Sequence, residues 1–179
     1  MGMTIRVPSD EVAALEREMR FGVWPSGMRA EYHPIVLIEP LDSRNAVAMG
    51  YDMFTSPARR EAMERARDTG RAAATGPVPL TQRFDNSPGF VIFTPMYSTG
   101  TTPPSIAERR AALVGFLYAR FRAGDFFEGM FPSQQRPEIG FEIRDGSDFF
   151  YAKVYHRPGR SATTTHRLIF CHIRSYTHC

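Results

Sequence analysis

The sequence contains little that points to catalysis, to nucleic-acid binding or to a membrane span. The motifs G-x-S-x-G, H-E-x-x-H and G-x-G-x-x-G and the P-loop are absent, and no spacing of Ser, His and Asp selects a triad. The formal net charge is only +3, and the basic residues do not form the stripe that nucleic acid requires. The longest apolar run, residues 111–119, is far shorter than the roughly 20 residues that cross a bilayer. No signal peptide follows Met1. We therefore expect a soluble chain that is not an enzyme.

Cysteine is scarce. Cys171 and Cys179 are the two in the chain, and both lie in the last 14 residues with three of the five histidines. His166, His172 and His178 stand at the long edge of the spacing found in structural zinc sites, but the cysteines are too far apart for a zinc knuckle. The pattern therefore disfavours a metal site, and no cofactor is expected. A disulfide would be compatible with an extracytoplasmic compartment.

Two helices are indicated by residues suited to their ends. The first is predicted to begin at Pro8, with acidic residues in its first turn, and to end before Gly22. The second has Ser56 as its N-cap, Pro57 in its first turn and Gly70 as its C-terminal stop. A stripe of alanines along this second helix predicts close packing against a sheet.

Strands are predicted where β-branched and aromatic residues cluster between Pro and Gly. These runs are residues 32–38, 72–80, 89–96 and 113–121, while residues 43–51 are compatible with a short helix and residues 98–105 with an exposed loop. The order is strand, helices and then three strands that can pair antiparallel. We therefore predict an α+β fold: a PAS-like antiparallel sheet with helices on one face and a pocket between the layers.

A second, smaller unit is predicted to begin after residue 122. Residues 123–131 form a short amphipathic segment. Strands at 138–143 and 149–155 flank the pair Asp145-Gly146, which is typical of a hairpin turn.

Several short blocks of sequence occur together in a particular order and spacing. They are Glu39-Pro40, Asn45, Gly50-Tyr51-Asp52, Arg59-Arg60, Ala66-Arg67-Asp68-Thr69-Gly70, Gly89-Phe90, Pro95-Met96-Tyr97, Glu108-Arg109-Arg110, Gly115 and Phe121-Arg122. On these blocks the chain from residue 5 to residue 157 resembles the CHASE domain, the extracytoplasmic sensor module of histidine kinases and nucleotide cyclases. The plant cytokinin receptors are its best-known members.

The resemblance implies a domain organisation. Residues 26–122 would form a membrane-distal PAS-like subdomain, and residues 123–157 would begin a membrane-proximal PAS-like subdomain. Residues 158–179 form an atypical tail. CHASE domains begin with a long helix that follows a transmembrane segment, and they end with a strand that carries a tryptophan. Because Trp24 is the one tryptophan here and no output domain follows, we expect a receptor fragment whose tail is translated out of frame.

The resemblance also implies a function. The domain would lie at the periplasmic or extracellular face of the membrane in its parent receptor, bind a small molecule and pass a conformational signal to a histidine kinase or cyclase output domain in cis. A homodimer partner is expected, and nucleic acid is not. Adenine-type cytokinins are the specific ligand hypothesis. The alternatives are a module that binds a non-purine molecule or a peptide, and a non-functional receptor fragment.

Asp52 is the leading candidate for ligand contact, because the aspartate at this motif position of the cytokinin receptors holds the adenine ring. The alternative is that Asp52 caps the following turn. The pocket wall is expected to include Tyr51, Ala74, Leu80, Phe90, Ile92, Thr94, Gly115 and Leu117, for which ordinary core packing is the competing interpretation. Gly115 would let a group approach the backbone, or mark a bulge. The pairs Arg59-Arg60 and Arg109-Arg110 could bind an anion, but a solvated face is the favoured interpretation.

Overall fold

The structure is a computed structural model that describes residues 1–79, 88–129, 140–145, 148–154 and 167–168. These residues belong to two compact units. The first comprises Met1–Thr75 and Val91–Arg120, and the second comprises residues 76–79, 88–90 and the described residues from 121 onward. The predictions for Leu80, for Gly146 and for the cysteines and histidines of the tail fall outside the described residues. The predicted subdomain limits remain predictions.

The first unit is built around an antiparallel sheet. The strands up to residue 122 are β1 (Gly2–Ile5), β2 (Val7–Pro8), β3 (Glu31–Tyr32), β4 (Ile35–Ile38), β5 (Ala73–Ala74), β6 (Val78–Pro79), β7 (Pro88–Tyr97) and β8 (Leu113–Arg122). The main sheet has the order β4-β1-β8-β7-β5, and β2 pairs with β3 as a separate antiparallel ribbon. This α+β architecture confirms the predicted fold class, which is compatible with a PAS-like fold.

Strand β1 has a central place that the sequence analysis missed. It pairs antiparallel with β4 on one side and with β8 on the other, and Gly2 stands opposite both Ile38 and Tyr118. Only glycine fits at position 2, because a Cβ there would lie about 2.5 Å from the Leu37 carbonyl oxygen and from the Tyr118 ring. Residues 3–7 do alternate apolar and polar side chains, as a strand requires, but the positions that β1 buries are Gly2 and Thr4 rather than the apolar ones.

One face of the sheet carries the hydrophobic core. Phe93 and Phe116 are fully buried and meet edge to face at 6.1 Å, and Tyr118 is 3% exposed. The opposite face is open: Leu117 is 50% exposed, and Thr94 is also exposed. The prediction that Thr94 and Leu117 point inward is therefore wrong, since their neighbours of opposite strand parity fill the core.

Helix α3 (Pro57–Thr69) forms as its sequence predicted. Ser56 is the N-cap residue, although its side chain makes no capping hydrogen bond, and Gly70 ends the helix in the left-handed conformation at φ 69°. Ala62 and Ala66 are fully buried. Small side chains at this spacing allow the helix backbone to pack closely.

Other local predictions need correction. The first helix, α1 (Val12–Met19), begins later than expected because Pro8 belongs to β2, and none of its residues is buried. The strand predicted at 32–38 is divided between β3 and β4, and the one predicted at 72–80 is divided between β5 and β6. The predicted short helix at 43–51 is a single turn, α2 (Ser43–Ala46).

Helix α4 (Ile106–Ala112) was missed as a separate element, although a capping box starts it. The Ser105 hydroxyl accepts a hydrogen bond from the Glu108 backbone N–H, and the Ser105 backbone N–H donates to the Glu108 carboxylate. This reciprocal pattern is a recognisable sequence signature of a helix start.

An ion-pair cluster joins α3 to α4. Arg110 donates to Asp68 through Nε at 3.0 Å and through Nη2 at 2.5 Å, and Arg67 Nε donates to the same carboxylate at 2.7 Å. Together Arg110 and Arg67 hold the pKa of the Asp68 carboxyl well below its ordinary range. The carboxylate therefore stabilises the fold only while it is charged.

We expect Asp68→Asn to lower the free energy of unfolding by about 1 kcal/mol at pH 7, because a partly exposed bidentate ion pair is lost. The folded-state pKa is depressed, so this contribution is present above the ordinary pKa of 3.8 and disappears as the pH falls further. Urea titrations of both proteins at pH 7 and at pH 3 measure it. Asp10→Asn, at an exposed site, is the matched control. An equal difference at both pH values would contradict the prediction.

The second unit contains the other described elements. They are α5 (Ala123–Gly129), β9 (Gly140–Asp145), β10 (Asp148–Val154) and β11 (Arg167–Leu168), and the start of β7 pairs with β6 in the same unit. β10 pairs antiparallel with β9, as the predicted hairpin requires, and β11 pairs parallel with β9. Phe90, Phe121 and Phe126 form an aromatic cluster with centroids 5.1 to 5.3 Å apart.

Candidate functional site

Asp52 lies in a segment held between two other parts of the chain. Its backbone N–H donates to the Trp24 carbonyl at 2.7 Å, while the Ile35 N–H donates to the Tyr51 carbonyl at 3.0 Å. The approach is close enough that a Cβ on Gly50, at φ 76°, would collide with the Gly22 carbonyl oxygen. The glycine of the Gly50-Tyr51-Asp52 motif is thus required by the backbone.

The Asp52 carboxylate is fully buried and divides its two oxygens between different roles. Oδ1 accepts the backbone N–H of His33 at 2.9 Å and that of Phe54 at 3.0 Å. Asp52 is thereby the N-cap of the 3₁₀ helix Met53–Thr55. The capping role weighed in the sequence analysis is present, and it uses only one of the two oxygens.

The second oxygen of Asp52 faces a cation. Oδ2 makes no hydrogen bond to any described residue, and Nη1 of Arg29 lies 3.5 Å away. Arg29 donates to the carbonyl oxygens of Pro25 and Gly27, and its guanidinium lies 5.2 Å from the ring centroid of Tyr32. The ion pair neutralises the buried carboxylate while leaving Oδ2 with unused acceptor capacity.

Arg29 also lines a cavity. Its volume is about 510 Å³, and its lining residues are Ser9, Asp10, Met28, Arg29, Ala30 and Tyr32. Arg29 therefore contacts both this cavity and the Asp52 carboxylate.

His33 is a buried polar residue next to Asp52. Its ring is fully buried, with the ring of Phe54 centred 3.9 Å away and that of Phe116 at 5.5 Å. Neither ring nitrogen makes a hydrogen bond within the described part of the chain, and Nε2 lies 3.7 Å from Oε1 of Glu31. Burial lowers the pKa of His33, so the ring is neutral near pH 7.

Tyr51 belongs to a second polar group on the helical side. Its hydroxyl accepts from the Thr55 hydroxyl at 3.1 Å and from Nη1 of Arg59 at 3.3 Å, and its ring lies 4.7 Å from that of Trp24. Arg59 is only 6% exposed, and burial lowers its pKa. A basic group thus faces the phenolic oxygen in a largely dehydrated setting.

Two buried hydroxyls on the core face of the sheet lack hydrogen-bond partners among the described residues. They are the Tyr118 hydroxyl on β8 and the Thr4 hydroxyl on β1. Burial raises the pKa of Tyr118 to about 12, although Arg120 and Arg59 oppose the shift. Arg120 itself donates to the Asn45 side chain at 2.7 Å.

Only some of the predicted pocket residues lie near Asp52. Tyr51 and Asp52 lie in it, whereas Thr94 and Leu117 are on the open face of the sheet. Ala74 and Ile92 stand opposite each other on β5 and β7 and are half-buried. Phe90 belongs to the second unit, and Leu80 lies outside the described residues.

Gly115 has its own explanation. A Cβ at this position would collide with the Thr4 carbonyl oxygen and lie 2.9 Å from Cα of Ile5. The group that approaches the glycine backbone is therefore strand β1.

The sequence analysis missed Arg29 and His33 as neighbours of Asp52, and Tyr118 as a buried hydroxyl on β8. His33 carried one usable signal, since it is a lone ionisable residue inside the apolar run of residues 32–38. The arginine pairs are confirmed only in part as solvated side chains: Arg60 pairs with Glu64 at 3.0 Å on the surface, whereas Arg59 is buried.

The described ranges contain neither a metal-binding cluster nor a helix that could cross a membrane. No cluster of three or more His, Cys, Asp or Glu side chains there could hold a metal ion. Over the same ranges, no helix has the length and apolar character that a bilayer crossing requires.

The chain is thus an α+β domain whose antiparallel sheet is compatible with a PAS-like fold and which holds several buried polar side chains. The family model of the CHASE domain matches residues 1–154, and the chain belongs to this family. CHASE domains are extracytoplasmic sensor domains of signalling receptors and are not catalytic. Hybrid signal transduction histidine kinase A of Dictyostelium discoideum is similar to this chain, with 27% identity over 104 residues. The match covers 54% of this chain and 5% of that protein.

Proposed function

We propose that this domain senses a small polar molecule bound beneath its helical layer, with Asp52 as the principal acceptor. The observation that carries the proposal is the Asp52 carboxylate, which is fully buried and has one oxygen without a hydrogen bond to any described residue. Buried carboxylates without full hydrogen bonding are costly, and sites that accept a ligand are places where such costs persist.

The free oxygen of Asp52 favours a ligand that donates a hydrogen bond. Oδ2 of Asp52 can accept an N–H. An adenine-type cytokinin has adjacent ring acceptors and N–H donors, and we propose this class as the first ligand to test. Membership of the CHASE family supports it. A non-purine metabolite or a peptide amide could satisfy the same oxygen and is the alternative.

Arg29 would take part in binding as a competitor for Asp52. A ligand N–H that reaches Oδ2 has to share the carboxylate with the guanidinium 3.5 Å away. Movement of Arg29 would alter its bonds to Pro25 and Gly27, and the cavity that Arg29 lines gives the side chain space to move. Binding energy would in this way be converted into a rearrangement near the start of the 3₁₀ helix.

The output proposed for the parent receptor is a histidine kinase or a nucleotide cyclase in cis. The similarity to a hybrid histidine kinase supports a histidine kinase rather than a cyclase as the output. We propose further that the parent is a homodimer with this domain at the periplasmic or extracellular face of the membrane. A ligand would act on the output only through its different affinities for two conformations of the domain.

The test is a thermal-shift screen of the purified domain against adenine-type cytokinins, other purines, amino acids and short peptides. We expect a ligand to raise the melting temperature of the wild type, as ligands that bind only the folded state do. Asp52→Asn should remain folded and lose the shift, while Asp125→Asn, at a side chain 78% exposed, should keep it. A shift of equal size in Asp52→Asn would exclude Asp52 as the acceptor. A shift with non-purine compounds alone would favour the alternative.

A further inference from the structure

The His33 side chain occupies an environment that suits it poorly. It is a fully buried imidazole that contacts the rings of Phe54 and Phe116, and neither nitrogen has a hydrogen bond to a described residue. A phenylalanine would fill the same slot at no polar cost.

Charged groups reach His33 from several elements. Oε1 of Glu31, on β3, lies 3.7 Å from Nε2, and Oε2 of Glu31 accepts Nε of Arg6 at 2.7 Å. The proximity of the His33 ring, at 3.7 Å, and the ion pair with Arg6 hold the pKa of Glu31 at about 2, so this carboxylate is charged at all moderate pH values. The group nearest the imidazole is therefore an anion already shared with an arginine.

Other charged groups near His33 lie on the segments around Asp52 and on α3. Asp52 faces the His33 backbone and is paired with Arg29. On α3, Arg60 lies 5.4 Å from the ring centroid of Phe54, the ring that also contacts the imidazole. From β8 the contact is Phe116, which carries no charge.

The backbone of His33 is tied to the ligand-site candidate. Its N–H donates to Oδ1 of Asp52 at 2.9 Å, and its carbonyl accepts the N–H of Met53 at 3.1 Å. Both ends of the Asp52 cap therefore depend on the position of residue 33. A displacement of His33 would be felt directly at the carboxylate and at the 3₁₀ helix.

We propose that His33 is a proton-driven switch: on protonation Nε2 of its ring moves closer to Oε1 of Glu31, now 3.7 Å away, and the accompanying backbone shift loosens the cap on Asp52. An imidazolium against two phenyl rings without a hydrogen bond is unfavourable, whereas Glu31 offers a counter-charge. Arg6 and His33 then compete for the same carboxylate. Acidification thereby acts on the segment that we propose to bind ligand.

The pH range follows from the direction of the shift. Burial lowers the pKa of His33 from its ordinary value of 6.5, so the switch operates below that pH. The neutral ring's contribution to stability is complete above pH 6.5 and is lost as the pH falls toward the folded-state value.

Trp24 provides a reporter because it is the single tryptophan of the chain. Its carbonyl accepts the Asp52 backbone N–H at 2.7 Å, and its ring lies 4.7 Å from that of Tyr51. Emission of the full chain is recorded from pH 7.5 to pH 4.5 at a temperature well below melting. We expect a one-proton transition with a midpoint below pH 6.5 in the wild type and none in His33→Phe. No transition in the wild type, or the same transition in His33→Phe, would overturn the switch.

A second variant keeps the proposal testable if His33→Phe fails to fold. Glu31→Gln retains the imidazole and removes its counter-charge, so the midpoint should move to lower pH by roughly half to one unit. Glu18→Gln, at an exposed position of α1, should leave the midpoint unchanged. An unchanged midpoint in Glu31→Gln would count against the mechanism.

The fluorescence titration requires no ligand. Only the step from a loosened cap to altered ligand affinity rests on the proposed function. If the screen finds no ligand and the titration behaves as expected, the proposed function fails alone. If a ligand binds through Asp52 but no pH transition appears, the switch fails alone.

Discussion

Gly115→Ala is expected to lower the free energy of unfolding of the first unit by about 3 kcal/mol, the upper range for steric overpacking. The new Cβ would collide with the Thr4 carbonyl oxygen and press on Cα of Ile5 at 2.9 Å. Both contacts are backbone atoms of β1, so neither can move aside as a side-chain end could. Relief requires separating β1 from β8, which are hydrogen-bonded neighbours in the sheet.

Chemical denaturation followed by Trp24 fluorescence measures this effect, since Trp24 lies in the first unit. Gly22→Ala is the matched control, because the nearest atom to its Cβ would be a Glu16 carboxylate oxygen at 3.8 Å. We expect the control to change stability by less than about 0.5 kcal/mol. A loss at Gly115 no larger than that of the control would show that β1 does not pack against β8 as described.

Asp52→Ala is expected to cost about 3 kcal/mol, because two buried backbone N–H groups lose their acceptor and Arg29 loses its counter-charge. Asp52→Asn keeps an oxygen for the N–H groups of His33 and Phe54 and should cost less than half as much. Urea titration of the two variants beside the wild type gives both values. Equal losses would mean that the charge on Asp52, and not its capping bonds, stabilises the segment.

The difference in stability between Asp52→Ala and Asp52→Asn also bears on the proposed ligand binding. A residue that only caps a turn should be replaceable by asparagine with little effect on any property of the domain. A residue that also binds ligand should lose binding in the same asparagine variant while the fold persists. The stability of Asp52→Asn therefore determines whether its ligand response can be interpreted.

Elements whose signals are local could be predicted from the sequence. Helix α3 has a proline in its first turn and a terminal glycine, and these residues act within a few positions of the chain. Strands β7 and β8 are ten residues each and rich in aromatic and β-branched side chains. The family was identifiable because its motif blocks keep their order and spacing, and the CHASE match over residues 1–154 confirms that identification.

The buried face of the sheet could not be predicted from the sequence. In β7, Phe90 and Ile92 alternate with Val91 and Phe93, so both faces are apolar and periodicity selects neither. In β8 the same ambiguity holds for Phe116 and Leu117. Leu117 was predicted to face inward and line the pocket, but it is 50% exposed and Phe116 is the residue that is buried.

What the sequence by itself determined is the family, the α+β class, helix α3 and the position of Asp52, since each depends on neighbouring residues or on ordered motifs. The tertiary structure alone decided that β1 is central, which sheet face is buried, and that Arg29 and His33 surround Asp52. These outcomes depend on contacts between segments distant along the chain, such as Gly115 with Thr4. Such contacts are made by the free energy of packing the whole unit, and no local pattern encodes them.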